Sequence, residues 1–508
     1  MKNNYFLLLS LFFCIAMQAQ IVDLQKLSKG RLYSSDEIKD ENNNVRGYFL
    51  LFENDKIAKE TFQLEYVVLD ENLTKVTNGL ITEKMYESWL FDSKKIKVRA
   101  SFYDSKLLLQ FSDIINDAEF FSRYRILDIK SNNLSKPFIY VKGKMKLDPV
   151  FDRKNSNVSN NSSEDILFLE GVGLVVDSDL LDKKENLNHK YLAHFDNDFN
   201  EVWRLNYNSE NDKRYKTLAY LKSDEDVIIM SARCNRKGMN RNDVNEPSVL
   251  FIDAKKGNLR KEYIFPDLDK MSYRVVDCKI TADKIYLGGN YSELNKTGYV
   301  SDVDNLGLFN FIFDKTTGKL INSHYLKWES LKGNLPIDKK GYVKKEGYLF
   351  PHEMLYTDDG KIIVITEAFI QSPITTNNMY FFELTENLKM TQFFEVEKFR
   401  NKFSGTSAHS SDIKAYGLFD FIDYQDLGDS EYLFLINDNE KKSKNRKKST
   451  LYGIISYSDG IFKRQTLELK TETSNKYIFN AKKGYLLIVE SFDDRNKSSE
   501  MRLEKINY

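Results

Sequence analysis

Apolar residues fall along this chain in short runs bounded by polar turn residues, and eight of the runs align with one another. They are "YFLLFEND" from Tyr48, "KLLLQFSD" from Lys106, "VGLVVDSD" from Val172, "DVIIMSAR" from Asp226, "KIYLGGNY" from Lys284, "KIIVITEA" from Lys361, "YLFLINDN" from Tyr432 and "YLLIVESF" from Tyr485. Their fourth places hold Leu51, Leu109, Val175, Ile229, Leu287, Val364, Leu435 and Ile488, separated by 58, 66, 54, 58, 77, 71 and 53 residues. Near-continuous apolar runs of this length predict strands covered on both faces rather than half-solvated ones.

A second element follows all but the last run: an apolar strand, a polar turn and a returning strand, as in "VVLDENLTKV", "LFIDAKKGNLRK" and "FIFDKTTGKLIN". Asp, Asn and Gly at such turns supply positive φ and side-chain bonds to the backbone. Most units also carry a leading strand, such as "YRVVDCKI" (Tyr273–Ile280) or "HEMLY" (His352–Tyr356). Each repeat is thus four strands.

A lone sheet of this kind exposes two apolar faces, and radial stacking of several sheets buries them. The expected fold is all-β: one β-propeller of four-stranded blades over residues 20–508, eight in number, with seven as the alternative. The last unit ends on a single further strand, "EMRLEKINY" (Glu500–Tyr508), so "IVDLQKL" (Ile21–Leu27) is expected to supply its outermost member and close the ring. The unit around Ile166–Tyr207 matches least well. The rival architecture is two β domains split at "KNSNVSNNSSE" (Lys154–Glu164), which has linker composition.

These repeats resemble those of β-propeller proteins in general, and of uncharacterised secreted bacterial propeller proteins. The resemblance covers most of the chain and implies the fold. It carries no activity onto individual residues, since no Trp-Asp signature, per-blade Gly pair or Asp box accompanies it.

Composition narrows the function classes. Lys+Arg and Asp+Glu are both 75, so no net field recruits nucleic acid or an acidic membrane. Tyr (30) and Phe (35) are abundant and Pro (7) is scarce, as strands require. The first residues, "MKNNYFLLLSLFFCIAMQAQ", read as a signal peptide over 1–19 cleaved after Ala19, which implies a periplasmic or extracellular protein. The alternative is a lipoprotein signal acylated at Cys14, opposed by the bulky Phe13 before it. No further segment has transmembrane length. Cys234 and Cys278 remain after cleavage; they are expected as buried thiols, with a disulfide between neighbouring repeats as the alternative.

The turns before the aligned strands and the hairpin turns are short and share one face by topology. The other face receives the long connections Arg236–Glu246, Glu293–Asn305, Glu329–Leu349, Phe399–Lys414 and Lys441–Ser449. Several aligned strands end there on charged residues: Glu53, Asp113, Asp177, Arg233, Glu367, Asp438 and Glu490. Carboxylates converging on a channel mouth suit Ca2+ or acid–base work on a glycan. The plainer reading is that strands end polar where they reach water. His189, His194, Asp196 and Asp198 crowd "HKYLAHFDND", but Asp196 opens a hairpin turn and Glu201 stands where a calcium loop needs Gly.

With no catalytic signature, the leading expectation is a binding or scaffold protein of the cell envelope that holds a protein or glycan on the long-loop face. The alternative is a glycan-active hydrolase or lyase with its carboxylates at the channel mouth.

Overall fold

The computed structural model describes residues 21–506 apart from 41, 59–60, 85–95, 117–118, 142, 150–164, 183–186, 208–213, 237–245, 269, 295–299, 404–408, 440–448, 471–473 and 493–498. The signal segment with Cys14 and Ala19, and the whole tract Lys154–Glu164, lie outside these residues. Among the described residues no helix is long and apolar enough to cross a membrane.

Eight antiparallel sheets follow one another along the chain, and together they form an eight-bladed β-propeller. Every aligned run is the second strand of its blade, and each fourth-place residue is buried, none more than 4% exposed. Side chains alternate along each second strand between the two neighbouring blades, the two-residue period of a strand. In the fourth blade Val227 and Ile229 pack toward the fifth, while Ile228, Met230 and Ala232 pack toward the third. This is why the run is apolar at consecutive positions: both faces of the sheet are core.

Each blade-to-blade interface has its own apolar cluster, and the eight clusters run unbroken round the ring. The cluster joining second and third blades, with Leu108 and Tyr140 on one side and Val176 and Tyr191 on the other, spans the polar tract that divides them in sequence. The last interface joins the eighth blade to the first through Leu487, Met501 and Leu503 against Leu50 and Val67.

Ring closure uses the N-terminal strand, but a shorter piece than expected. Ile21, Val22 and Asp23 pair with Arg502, Met501 and Glu500. Asp23 then accepts a bond from Gln25 N at 3.0 Å, which turns Leu24–Leu27 into one helical turn. Leu24 is buried by that turn and joins the closing cluster.

Two further expectations are corrected. The third unit is a regular four-stranded blade; the second and sixth carry extra strands, and the second is broken in its fourth strand. Its fourth strand stops at Leu134 and resumes at Phe138, because Pro137 has no N–H for the ladder. The connection Glu329–Leu349 is no free loop either. Trp328, Leu331, Leu335, Ile337 and Val343 fold into the interface of fifth and sixth blades. Cys278 is a free, buried thiol, so it is not paired with Cys234.

Candidate functional site

The structure gives most of the described strand-end residues partners of their own. Glu53 faces Arg31 at 3.3 Å, an exposed pair of little energetic weight. Asp177 accepts from Tyr207 Oη at 2.8 Å. Glu490 lies 3.3 Å from Arg502 and 3.4 Å from Lys476. Asp438 pairs with Arg464. Arg233 is exposed, between Thr217 and Pro247 in the ladder. The Asp113 side chain lies outside the described residues.

Glu367 sits deepest, fully buried where the sixth blade meets the seventh. It accepts bonds from Asp420 N at 3.0 Å and Phe421 N at 3.3 Å, and lies 3.2 Å from Lys398 Nζ. Lys398 also reaches Asp420 Oδ2 at 2.6 Å, which Asn401 and Thr376 share. Burial pushes the Glu367 carboxyl up, but Lys398 and His352 outweigh it and hold it below the usual range. Burial keeps His352 neutral, its Nε2 at 3.3 Å from Glu367. This network ties two blades together.

For calcium, no group of three or more His, Cys, Asp or Glu side chains is arranged to hold a metal among the described residues. Asp196 does open a turn, accepting from Asp198 N and Asn200 N at 2.9 and 2.8 Å.

A second constellation lies on the leading strands. These are the innermost, since neighbouring blades approach one another along them: Arg31–Lys39 with Ile96–Tyr103, Met271–Ile280 with Gly347–Tyr356, and Phe421–Gly428 with Ser474–Asn480. In four consecutive blades the residue immediately after a β-bulge on this strand is charged: Lys222, Asp277, Glu353 and Asp423. A bulge re-aims the side chain that follows it, and bulges gather beside functional sites.

Asp277 and Glu353 are enclosed by protein yet still reached by water. Burial pushes Asp277 up to about 7, against its bond from Cys278 N and the charge of Lys222. Burial and then the Asp277 charge push Glu353 up to about 8, opposed by Lys414 and Arg274. Arg274 stands 4.5 Å over the Phe350 ring. Lys414, on the helical turn Ser410–Ala415 from a long connection, stands 5.9 Å from the same ring. Burial lowers Lys414.

Two blades further round, Tyr477 and Phe479 occupy alternate places on the innermost strand Ser474–Asn480, yet are 52% and 42% exposed. An innermost strand borders the channel, so these two uncovered rings lie on the strand beside it. Asp423 itself is held by a different set. Lys39 Nζ at 2.6 Å, Asn43 Nδ2 at 2.9 Å and Asn480 Nδ2 at 3.1 Å converge on it from the first and eighth blades. They link three blades across the short-turn end of the channel.

The profile of the family described as "Family of unknown function (DUF6770)" matches residues 1–378 and 383–507. The chain belongs to this family. No curated protein matches it. Similar solved structures include an ulvan lyase described as a new family of polysaccharide lyase, with TM-score 0.40, 11% identity and coverage of 80% of this chain and 91% of that one. The WD40 domain of SCAP from fission yeast has TM-score 0.40 and 10% identity, over 96% of this chain and 98% of that one. The β-propeller domain of the Trilobed protease from Pyrococcus furiosus has TM-score 0.31 and 6% identity, over 81% and 96%.

The channel residues were missed from sequence, although a signal existed. "VVDCKI" and "PHEMLY" each set one acid inside a largely apolar leading strand. An acid at such a place needs either a partner or a task.

Proposed function

We propose that this is a non-enzymatic binding protein of the cell envelope that holds a glycan in its channel, entered from the long-loop face. The observation that carries the reading is the exposure of Tyr477 and Phe479 on an innermost strand. Large aromatic faces left open in a channel offer flat apolar surface to the C–H face of a sugar. Arg274 and Lys414 add positive charge beside a long connection, which favours a glycan bearing carboxylate or sulfate groups. Protonated Asp277 and Glu353 supply O–H donors to the same ligand. The strand-end residues Glu53, Asp113, Asp177, Arg233, Glu367, Asp438 and Glu490 belong to this proposal as the frame around the mouth, with the ion pairs of Glu53, Glu367, Asp438 and Glu490 holding their strand ends.

The raised carboxyls favour one second reading. Two acids on adjacent blades, protonated near neutral pH, suit general acid catalysis on a glycan. Calorimetric titration with acidic oligosaccharides, followed by recovery of the ligand, separates the two. Intact ligand, with binding lost in Tyr477→Ala and Phe479→Ala, supports the binding protein. Cleaved ligand, with cleavage abolished by Asp277→Asn or Glu353→Gln, supports the enzyme. A protein ligand displaced by neither variant would sink both.

A further inference from the structure

The short-turn face carries a cavity of about 280 Å³ between second and third blades. It is far round the ring from the channel residues above and independent of the function proposed for them. Its walls include Tyr103, Asp104 and Lys106 from the second blade and Phe168, Gly173 and His194 from the third. Tyr103 and Phe168 stand 6.2 Å apart at 67°, and both rings line the space. Gly173, at φ +106°, leaves that space open. A Cβ built there would meet only His194 Nε2 and the Tyr103 ring, each at 3.8 Å. Lys106 Nζ donates to Asn197 Oδ1 at 2.6 Å and ties the two blades across the rim. Asp104, in a turn where it and Ser105 have φ of 43° and 63°, accepts no hydrogen bond at its carboxylate among the described residues.

We propose that this cavity is a binding site for a single uncharged hexopyranose ring. The volume falls just below the roughly 300 Å³ at which pockets begin to hold drug-sized ligands, so it suits one ring and not a chain. The sugar's C–H face lies on the aromatic pair. Its hydroxyls donate to the open oxygens of Asp104, which accept two donors at once. Two carboxylates, Asp104 and Asp196, line the cavity beside Lys106, whose Nζ is engaged by Asn197, so an uncharged ring is preferred and a uronate is repelled.

Saturation-transfer NMR with a neutral methyl hexopyranoside tests this, with the corresponding methyl uronide beside it. The neutral glycoside is expected to receive saturation. Its affinity should fall about tenfold in Tyr103→Ala and in Phe168→Ala, the size of one lost aromatic contact. Asp104→Asn should weaken it too without changing Tm, because Asn accepts positive φ. Tyr477→Ala, in the channel, should leave it unchanged, which separates failure here from failure of the channel reading. Absence of transfer, equal transfer in all three pocket variants, or equal binding of the uronide would overturn the proposal.

Discussion

Lys39 Nζ lies 2.6 Å from Asp423 Oδ2, although 384 residues separate them. The contact joins the first blade to the seventh, with the eighth between them reaching the same carboxylate through Asn480. Burial lowers Lys39, but Asp423 and Glu37 outweigh it and raise it above the usual lysine range. The pair is about one-quarter exposed, so its loss should cost about 1–3 kcal/mol, between the exposed and buried limits. Urea denaturation of Lys39→Met, Asp423→Asn and the double variant measures it. A lysine raised in the folded state stabilises below its unfolded pKa, and that stability is lost as pH rises through the folded pKa. Wild type and Lys39→Met should therefore converge in strongly alkaline solution. A coupling energy of zero in the double-mutant cycle would remove the contact from the account.

The Lys398 network makes the opposite pH prediction. Lys398→Met leaves Glu367 and Asp420 buried without their cation, which should cost about 3–5 kcal/mol. Glu367 is held below its usual range in the folded state. Its contribution is thus present above the unfolded pKa and lost as pH falls through the folded one. The destabilisation of Lys398→Met should shrink in acid. If it stays constant between neutral and acidic pH, Glu367 is not the ionised partner.

Asp277 and Glu353 give a third pattern. Both are raised when folded, to about 7 and about 8. At acidic pH both states bind the protons and no penalty arises. As pH rises past the unfolded pKa values, the unfolded chain ionises first, so stability falls until the folded pKa values are passed. Asp277→Asn and Glu353→Gln should therefore stabilise the protein on the order of a few kcal/mol above neutrality and leave it nearly unchanged in acid. Thermal melts across that pH range test this. A stabilisation independent of pH would mean that neither carboxyl is perturbed.

Much of this fold is written in the hydrophobic pattern, because stacked blades need every second strand apolar on both faces. Leu51 and Val364 occupy the same place in their blades for that reason alone. The site was less legible. The partners of Glu367 come from the segment after the sixth blade and the entry to the seventh, and no local pattern announces Lys398 or Asp420 as its neighbours. The bulges before Asp277 and Glu353 depend on how each leading strand pairs, which sequence spacing does not reveal. The Glu329–Leu349 connection could have been read better. Apolar Leu331, Leu335, Ile337 and Val343 are too many for a solvated loop.

Ring closure supplies the last prediction. Val22 and Met501 are direct partners across the pairing of Ile21–Asp23 with Glu500–Lys505. Cα atoms of directly opposed antiparallel residues stand about 4.5–5.5 Å apart, within the span of a disulfide. Val22→Cys with Met501→Cys should therefore crosslink within a monomer, and the oxidised form should melt above the reduced form of the same variant. The bridge closes nearly the whole chain into a loop, for which the chain-entropy account gives about 6 kcal/mol as an upper bound. Deleting residues 21–27 should act in the other direction. It removes Leu24 from the cluster between eighth and first blades and bares the edge strand Glu500–Lys505. An unprotected edge recruits other chains, so the deleted protein should lose stability and associate. Crosslinking that appears only between monomers, with a deletion that melts like the parent, would mean that the ring closes without this strand.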